Sequence, residues 1–296
     1  MIDLSGKTRV IIQGITGKEG TYWTKQMLDA GTNIVGGITP GKGGQVLYGV
    51  PVFNSVAEAV NAVAPEATVI FVPPRFAKDA AFEAIAEGIK LVVLLGDGVP
   101  LMDAMAIKYY ADSRGARVLG PNTPGCARVG EAVLGFIPTQ LADTYQPGGV
   151  GVIARSGSLT NEVCSHIVGA GFGVSTFVGV GGDSVPCTRM VDCLPYFAAD
   201  PRTEVLVMIG EVGGSMEQEV AFWVTQKKFT KPVVAYIAGR SAPPGKKMGH
   251  AGTIAEPGIG TIADKIRTLE EAGIPVGRIP RDVGTLLQKK LGGGKL

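Results

Sequence analysis

Hydrophobic and polar positions along the chain alternate in blocks rather than residue by residue. Short, continuous apolar runs ("TRVIIQGI", "NIVGGI", "ATVIFVPP", "LVVLLGD", "ARVLGPN") are separated by segments with an apolar stripe at helical spacing. These segments are residues 19–30, "SVAEAVNAV", "FAKDAAFEAIAEG" and "LMDAMAIKYYADSRG". An unbroken apolar run suits a strand covered on both faces, so the pattern predicts parallel strands flanked by helices, an α/β fold with a doubly wound, Rossmann-like first half. The rhythm breaks at "FIPTQLADTYQPGGV", where Pro138, Pro147, Gly148 and Gly149 mark turns without a helical stripe. A domain boundary there divides the chain into residues 1–145 and 146–296.

Alternation then resumes. Strands are expected in "GVGVIARSGS", "GVSTFVGVGGD", "TEVLVMIGEVGG", "KPVVAYIAGR" and "PVGRI", with helices starting near residues 159, 188 and 215 and covering "TIADKIRTLEEAG" and "DVGTLLQKKL". This second half predicts another parallel sheet, flavodoxin-like in kind. The closing "GGGKL" is expected to fray.

Composition narrows the partners. A chain of 296 residues with 45% hydrophobic side chains can build two ordinary cores. Its net charge of +2, without long runs of one sign, gives no reason to expect nucleic acid or a membrane surface. No apolar run approaches the ~20 residues of a membrane span, and "MIDLSGKTRV" lacks the core of a signal peptide, so a cytoplasmic protein is expected. Cys126, Cys164, Cys187 and Cys193 show no CxxC spacing, and with only two histidines they predict free thiols and no metal site.

Glycine is the outlier, with 44 residues gathered in clusters at expected strand ends. "GITGKEG" follows the first strand and opens the first helix, a place where backbone amides and the positive helix end favour a phosphate. A dinucleotide dehydrogenase would then want an acidic residue at the end of strand two. The chain has "GGITPGKGG" there, with Lys42, which suits an additional phosphate better than a ribose diol. Coenzyme A carries both a pyrophosphate and a 3′-phosphate.

The ordered series "GITGKEG", "GGITPGKGG", "VIFVPP", "GPNTPG", "ARSGSLTNE", "GVGGD", "MIGEVGG", "KPVVAYIAG" and "GKKMGHAG" resembles the α subunit of succinyl-CoA synthetase over nearly the whole chain. The resemblance implies a CoA-binding domain followed by a ligase domain with a phosphorylated histidine. It assigns CoA to Gly17, Lys18, Glu19, Gly20, Pro40, Lys42, Phe71, Val72, Pro73, Asp97, Gly98 and Asn122. Where this chain has Gly96-Asp97, the family more usually has Thr-Glu. The resemblance makes His250 of "GHAG" the phosphate carrier and Glu211 the carboxylate that orients it. Ser156, Gly157 and Ser158, at an expected helix N-terminus, are positioned to receive the phosphate. His166, inside the following helix, is expected to be structural.

The implied chemistry is a nucleotide-dependent acid–CoA ligation in three transfers, through phosphohistidine and acyl phosphate. The chain shows no GxxxxGK[ST] loop, so ATP or GTP with Mg is expected on a partner β subunit. Rival readings are a nicotinamide dehydrogenase and a CoA-sensing module. Thr123 and Asn161 stand where the family usually has Cys and Tyr, and "GGDSVPC" replaces "GGDPIPG". These changes make the acid pocket more polar. A small dianionic acid is therefore expected, with succinate favoured and malate, sulfoacetate or citrate as alternatives.

Overall fold

The computed structural model describes residues 4–138, 141, 143–241, 249–253 and 261–291. The expected frayed "GGGKL" end and the basic pair Lys246–Lys247 lie outside the described residues. The chain divides into two compact units, Met1–Pro138 with Val185–Thr188, and Thr139–Ser184 with Arg189–Leu296.

The first unit begins with β1 (Val10–Gln13), α1 (Lys18–Asp29), β2 (Ile34–Ile38), β3 (Val46–Leu47) and β4 (Val50–Phe53). It continues through α2 (Val56–Val63), β5 (Ala67–Ile70), α3 (Ala77–Ala86), β6 (Leu91–Leu94), α4 (Leu101–Arg114), β7 (Arg117–Leu119), β8 (Gly125–Arg128) and β9 (Ala132–Gly135). Its sheet has the order β3-β4-β2-β1-β5-β6-β7 and is parallel except at β3–β4. The continuous apolar runs become β1, β5 and β6, buried at every position, as expected for strands with helices on both faces. Each fully buried aliphatic side chain in this core, such as Ile11, Ile70 or Val92, stabilises the unit by roughly 1.5–3 kcal/mol.

Three short features were not foreseen in the apolar pattern. β3 is only two residues long, and β4 contains Pro51, which argues against a strand when met in sequence. The β8–β9 hairpin is built from "GCAR" and "AVLG", whose small residues carry little strand signal.

The second unit contains β10 (Pro147–Ala154), α5 (Gly157–Gly169), β11 (Val174–Gly179), α6 (Met190–Ala199), β12 (Val205–Glu211) and α7 (Met216–Thr225). β13 (Val233–Ala238), α8 (Ile262–Glu271), β14 (Val276–Gly277) and α9 (Asp282–Leu291) complete it. These strands run in the order β14-β13-β12-β10-β11, all parallel, which is a flavodoxin-like arrangement. α5 starts at Gly157 rather than near residue 159, because the chain turns immediately after Ser156.

In each unit the strand order reverses once, between β1 and β5 in the first and between β10 and β12 in the second. Open parallel sheets bind ligands beyond the carboxyl ends of the strands at such reversals. Cys126, Cys164, Cys187 and Cys193 are all free thiols and all buried. No described helix is long and apolar enough to cross a membrane.

Candidate active site

At the reversal in the second unit, a cavity of about 330 Å³ is lined by residues that include Ser156, Leu159, Glu211, Gly239, His250 and Thr253. Ser156 and Leu159 come from the β10–α5 turn, Glu211 ends β12, and Gly239 follows β13. His250 arrives on a tight turn closed by Thr253, whose N–H and hydroxyl both donate to the His250 carbonyl, at 3.1 and 2.6 Å. The turn lies against the glycines after β11: the Gly252 N–H donates to the Gly182 carbonyl at 3.1 Å. A Cβ on Gly182 would stand 2.4 Å from Cγ of the His250 ring, so only glycine lets the imidazole lie there.

His250 Nδ1 and Glu211 Oε2 are 2.9 Å apart. Glu211 is 8% exposed and His250 is 28% exposed, so the ring keeps one open side while its carboxylate partner is screened from water. With Nδ1–H donating to the carboxylate, the lone pair is left on Nε2. The bond to Glu211 raises the His250 pKa above its ordinary value of 6.5, opposed by burial and by the Arg155 guanidinium and supported by Asp183.

The mouth of the site is an anion acceptor in form. Ser156 caps α5 with no side-chain bond to the helix amides, and its hydroxyl lies 3.4 Å from that of Ser158. The first-turn N–H groups at the positive end of a 13-residue helix therefore have no side-chain acceptor among the described residues. Arg155 is 2% exposed; its Nη1 donates to the Gly213 carbonyl at 3.1 Å, while its buried Nε has no hydrogen-bond partner among the described residues. Glu211 Oε1 is likewise buried without a partner among the described residues. The Arg155 Nε–H is spare donor capacity of the kind an anionic group satisfies, whereas Glu211 Oε1, an acceptor, calls for a donor.

In the first unit, the loops at the sheet reversal converge in the same way. Gly17 caps α1 without a side-chain bond, leaving the amides of Lys18, Glu19 and Gly20 at the positive helix end. Thr16 Oγ1 donates to Thr39 Oγ1 at 3.1 Å, tying this turn to the loop that carries Pro40 and Lys42. That loop is held by Asn54, whose Oδ1 accepts the N–H groups of Gly41 and Gly43 at 3.0 and 2.9 Å. Lys42 is exposed. Phe71, at the end of β5, sits edge-on to Phe136 with centroids 5.4 Å apart, followed by Val72 and the exposed Pro73. Asp97 and Gly98 form an exposed turn, and Asn122 Nδ2 donates to Asp97 Oδ1 at 3.1 Å.

Thr123 and Asn161 are placed differently from the other expected site residues. Thr123 is 2% exposed in the first unit, and its hydroxyl accepts the Gly125 N–H at 3.0 Å. Asn161 is half-buried on α5, where its Oδ1 accepts the Tyr145 hydroxyl at 2.6 Å. Neither lines the cavity around His250. Arg155, Gly182, Thr253 and Asn54 were not singled out by motif. Arg155 directly precedes Ser156 and follows the apolar run "GVGVIA", which was its available signal, whereas Asn54 has no local signature.

Residues 5–98 match the CoA binding domain family and residues 153–274 the CoA-ligase family. The chain is 51% identical to a subunit of the ADP-forming sulfoacetate-CoA ligase of Bilophila wadsworthia, covering 96% of this chain and 97% of that one. It is 47% identical to the alpha subunit of the ADP-forming succinate–CoA ligase of Methanothermobacter thermautotrophicus, over 99% and 98% of the two chains. The chain belongs to the succinate–CoA ligase alpha-subunit family. As a member it is part of an acid–thiol ligase, and its first domain is a CoA-binding domain. The resemblance carried by the glycine motifs and the expected α/β fold are thereby borne out. The ATP citrate lyase of Methanothrix soehngenii, solved with citrate and coenzyme A, superposes with a TM-score of 0.88 at 25% identity. That match covers 100% of this ligase subunit, which spans about half, 52%, of the solved chain.

Proposed function

We propose that this alpha subunit carries a phosphoryl group on His250 Nε2 and delivers it to a small dianionic acid, which CoA then captures as a thioester. The observation that carries the reading is the His250–Glu211 pair, 2.9 Å apart in a cavity at the uncapped N-terminus of α5. Nε2 attacks the γ-phosphorus of ATP or GTP, and the bond to the nucleoside diphosphate breaks. Glu211 holds the Nδ1 proton and offsets the positive charge that develops on the ring. The amides at Gly157 and Ser158 are the donors for the phosphoryl oxygens, and the buried Arg155 guanidinium adds positive charge near the ring.

A carboxylate oxygen of the acid then attacks the phosphorus, regenerating His250 and giving an acyl phosphate. The CoA thiol, as thiolate, attacks the acyl carbon, and inorganic phosphate leaves. The CoA residues are those of the first domain, residues 1–145: the amides of Gly17 to Gly20, Lys42 on the loop that Asn54 holds, and the strand-end turns at Phe71–Pro73 and Asp97–Asn122. The second domain, residues 146–296, presents the phosphohistidine. A β subunit supplies the nucleotide and Mg, and the complex works in the cytoplasm.

For the acid, sulfoacetate is the first choice and succinate the second. The relative at 51% identity is named for sulfoacetate and the one at 47% for succinate. The test is to reconstitute the chain with its β subunit and γ-labelled ATP, then chase with sulfoacetate, succinate, malate, citrate or acetate plus CoA. An acid-labile, base-stable label on wild type, absent from His250→Asn and discharged fastest by sulfoacetate, is expected. Equal labelling of His250→Asn refutes the phosphate carrier, and preference for acetate refutes the dianionic acid.

A further inference from the structure

Glu211 can orient His250 only if its own backbone is fixed, and two charged side chains buried behind the site bear on that backbone. Glu217, on the first turn of α7, and Lys265, on the first turns of α8, are both 0% exposed. The Lys265 ammonium has three donors, and all are engaged: one on the Glu211 carbonyl at 2.7 Å, one on the Gly213 carbonyl at 2.7 Å, and one on Glu217 Oε2. Glu217 Oε1 accepts the N–H of Glu211 at 3.0 Å. The N–H and C=O of Glu211 are thus both held by side chains from other helices. Gly210 permits this, since a Cβ there would stand 2.4 Å from Glu217 Oε1.

We infer that the buried Glu217–Lys265 pair is the positioning element for the reaction proposed above, clamping the Glu211 backbone so that its carboxylate meets His250 Nδ1. A pair serving stability alone is a weaker explanation. Two charges taken fully out of water are costly to desolvate, and apolar residues of similar size often serve a core equally well. What an apolar pair cannot do is hold both peptide groups of Glu211. Burial in fact lowers the Lys265 pKa, with Glu217 and Glu211 acting to raise it and Arg155 to lower it. Among the described residues, the charged groups facing His250 itself are Glu211, Arg155 and Asp183.

The inference rests on the phosphate-carrier reading, but its test has a readout that does not. The chain has two histidines, so His166→Gln leaves one imidazole whose titration and tautomer are read by NMR. In the intact chain His250 should titrate above 6.5 and, when neutral, carry its proton on Nδ1. In Glu217→Leu/Lys265→Met the titration should fall toward the ordinary value and the tautomer preference weaken. With the β subunit, labelling of His250 should slow by roughly tenfold or more, as expected on losing a charge-assisted hydrogen bond. Where the double variant does not fold, Glu217→Gln, of the same size, is read in the same way. A folded variant with an unchanged His250 titration and tautomer overturns the inference. Titration that responds to the clamp in a wild-type chain that takes no label leaves the clamp standing and removes the phosphate-carrier reading instead.

Discussion

Glu211→Gln is the sharpest perturbation of the site, because it changes one atom and keeps the side chain's length. The bond it alters is 2.9 Å long, between a carboxylate 8% exposed and an imidazole 28% exposed. A hydrogen bond to a charged group in such a setting contributes about 1.5–3 kcal/mol, which corresponds to a loss of roughly 10- to 150-fold in rate if it is lost in the transition state. A larger loss follows if the new amide turns its NH2 toward Nδ1, since the ring must then move its proton to Nε2 and has no lone pair to attack with. Amide replacement of an imidazole's orienting carboxylate has cost ~10⁴-fold in an enzyme of another fold. The assay is rapid-quench labelling of His250 with γ-labelled ATP and the β subunit, with calorimetry of CoA as a control expected to stay unchanged. Labelling within twofold of wild type at all pH values would refute the role given to Glu211.

The pH dependence has a definite sign: the attacking ring must be neutral and the His250 pKa is raised by Glu211, so the acid limb of labelling should lie above 6.5 and move to lower pH in Glu211→Gln. In stability, the same pair contributes fully below the unfolded histidine value and fades as pH rises through the raised one, a trend to be seen in Tm across that window and lost in His250→Asn. Gly182→Ala should slow labelling sharply, because its Cβ would stand 2.4 Å from the His250 ring; an unchanged rate would show that the turn does not need this contact. Lys42→Ala should weaken CoA binding much more than dephospho-CoA binding, by calorimetry, if that ammonium meets the 3′-phosphate.

The parallel architecture was legible because β1, β5, β6, β11 and β12 are buried at every position, and β10 from its third residue on, so that their sequences are mostly apolar. The pairing of His250 with Glu211 came from motif resemblance, since 39 residues separate them and no local pattern links them. What stayed hidden was made by tertiary approach. Asn54 clamps a loop more than ten residues upstream, and Glu217 reads as an ordinary acid in the first turn of a helix until Lys265 is brought beside it. Thr123 and Asn161 were grouped with the acid site because they depart from the family pattern. Their hydroxyl and amide oxygens are instead engaged by Gly125 and Tyr145, contacts that a linear motif does not reveal.

The burial of the four cysteines bears on chemoselectivity. A ligase that makes thioesters must let one thiol, that of CoA, meet an activated acyl group, and each of its own thiols is a potential competitor that would leave the enzyme S-acylated. Cys126, Cys164, Cys187 and Cys193 all lie inside the units, and burial pushes the Cys164 thiol up to about 12, far from the thiolate form that attacks. The protein's own sulfur is thereby kept out of both acyl transfer and mixed-disulfide exchange with its thiol substrate, and a native chain should resist alkylation by iodoacetamide until it unfolds.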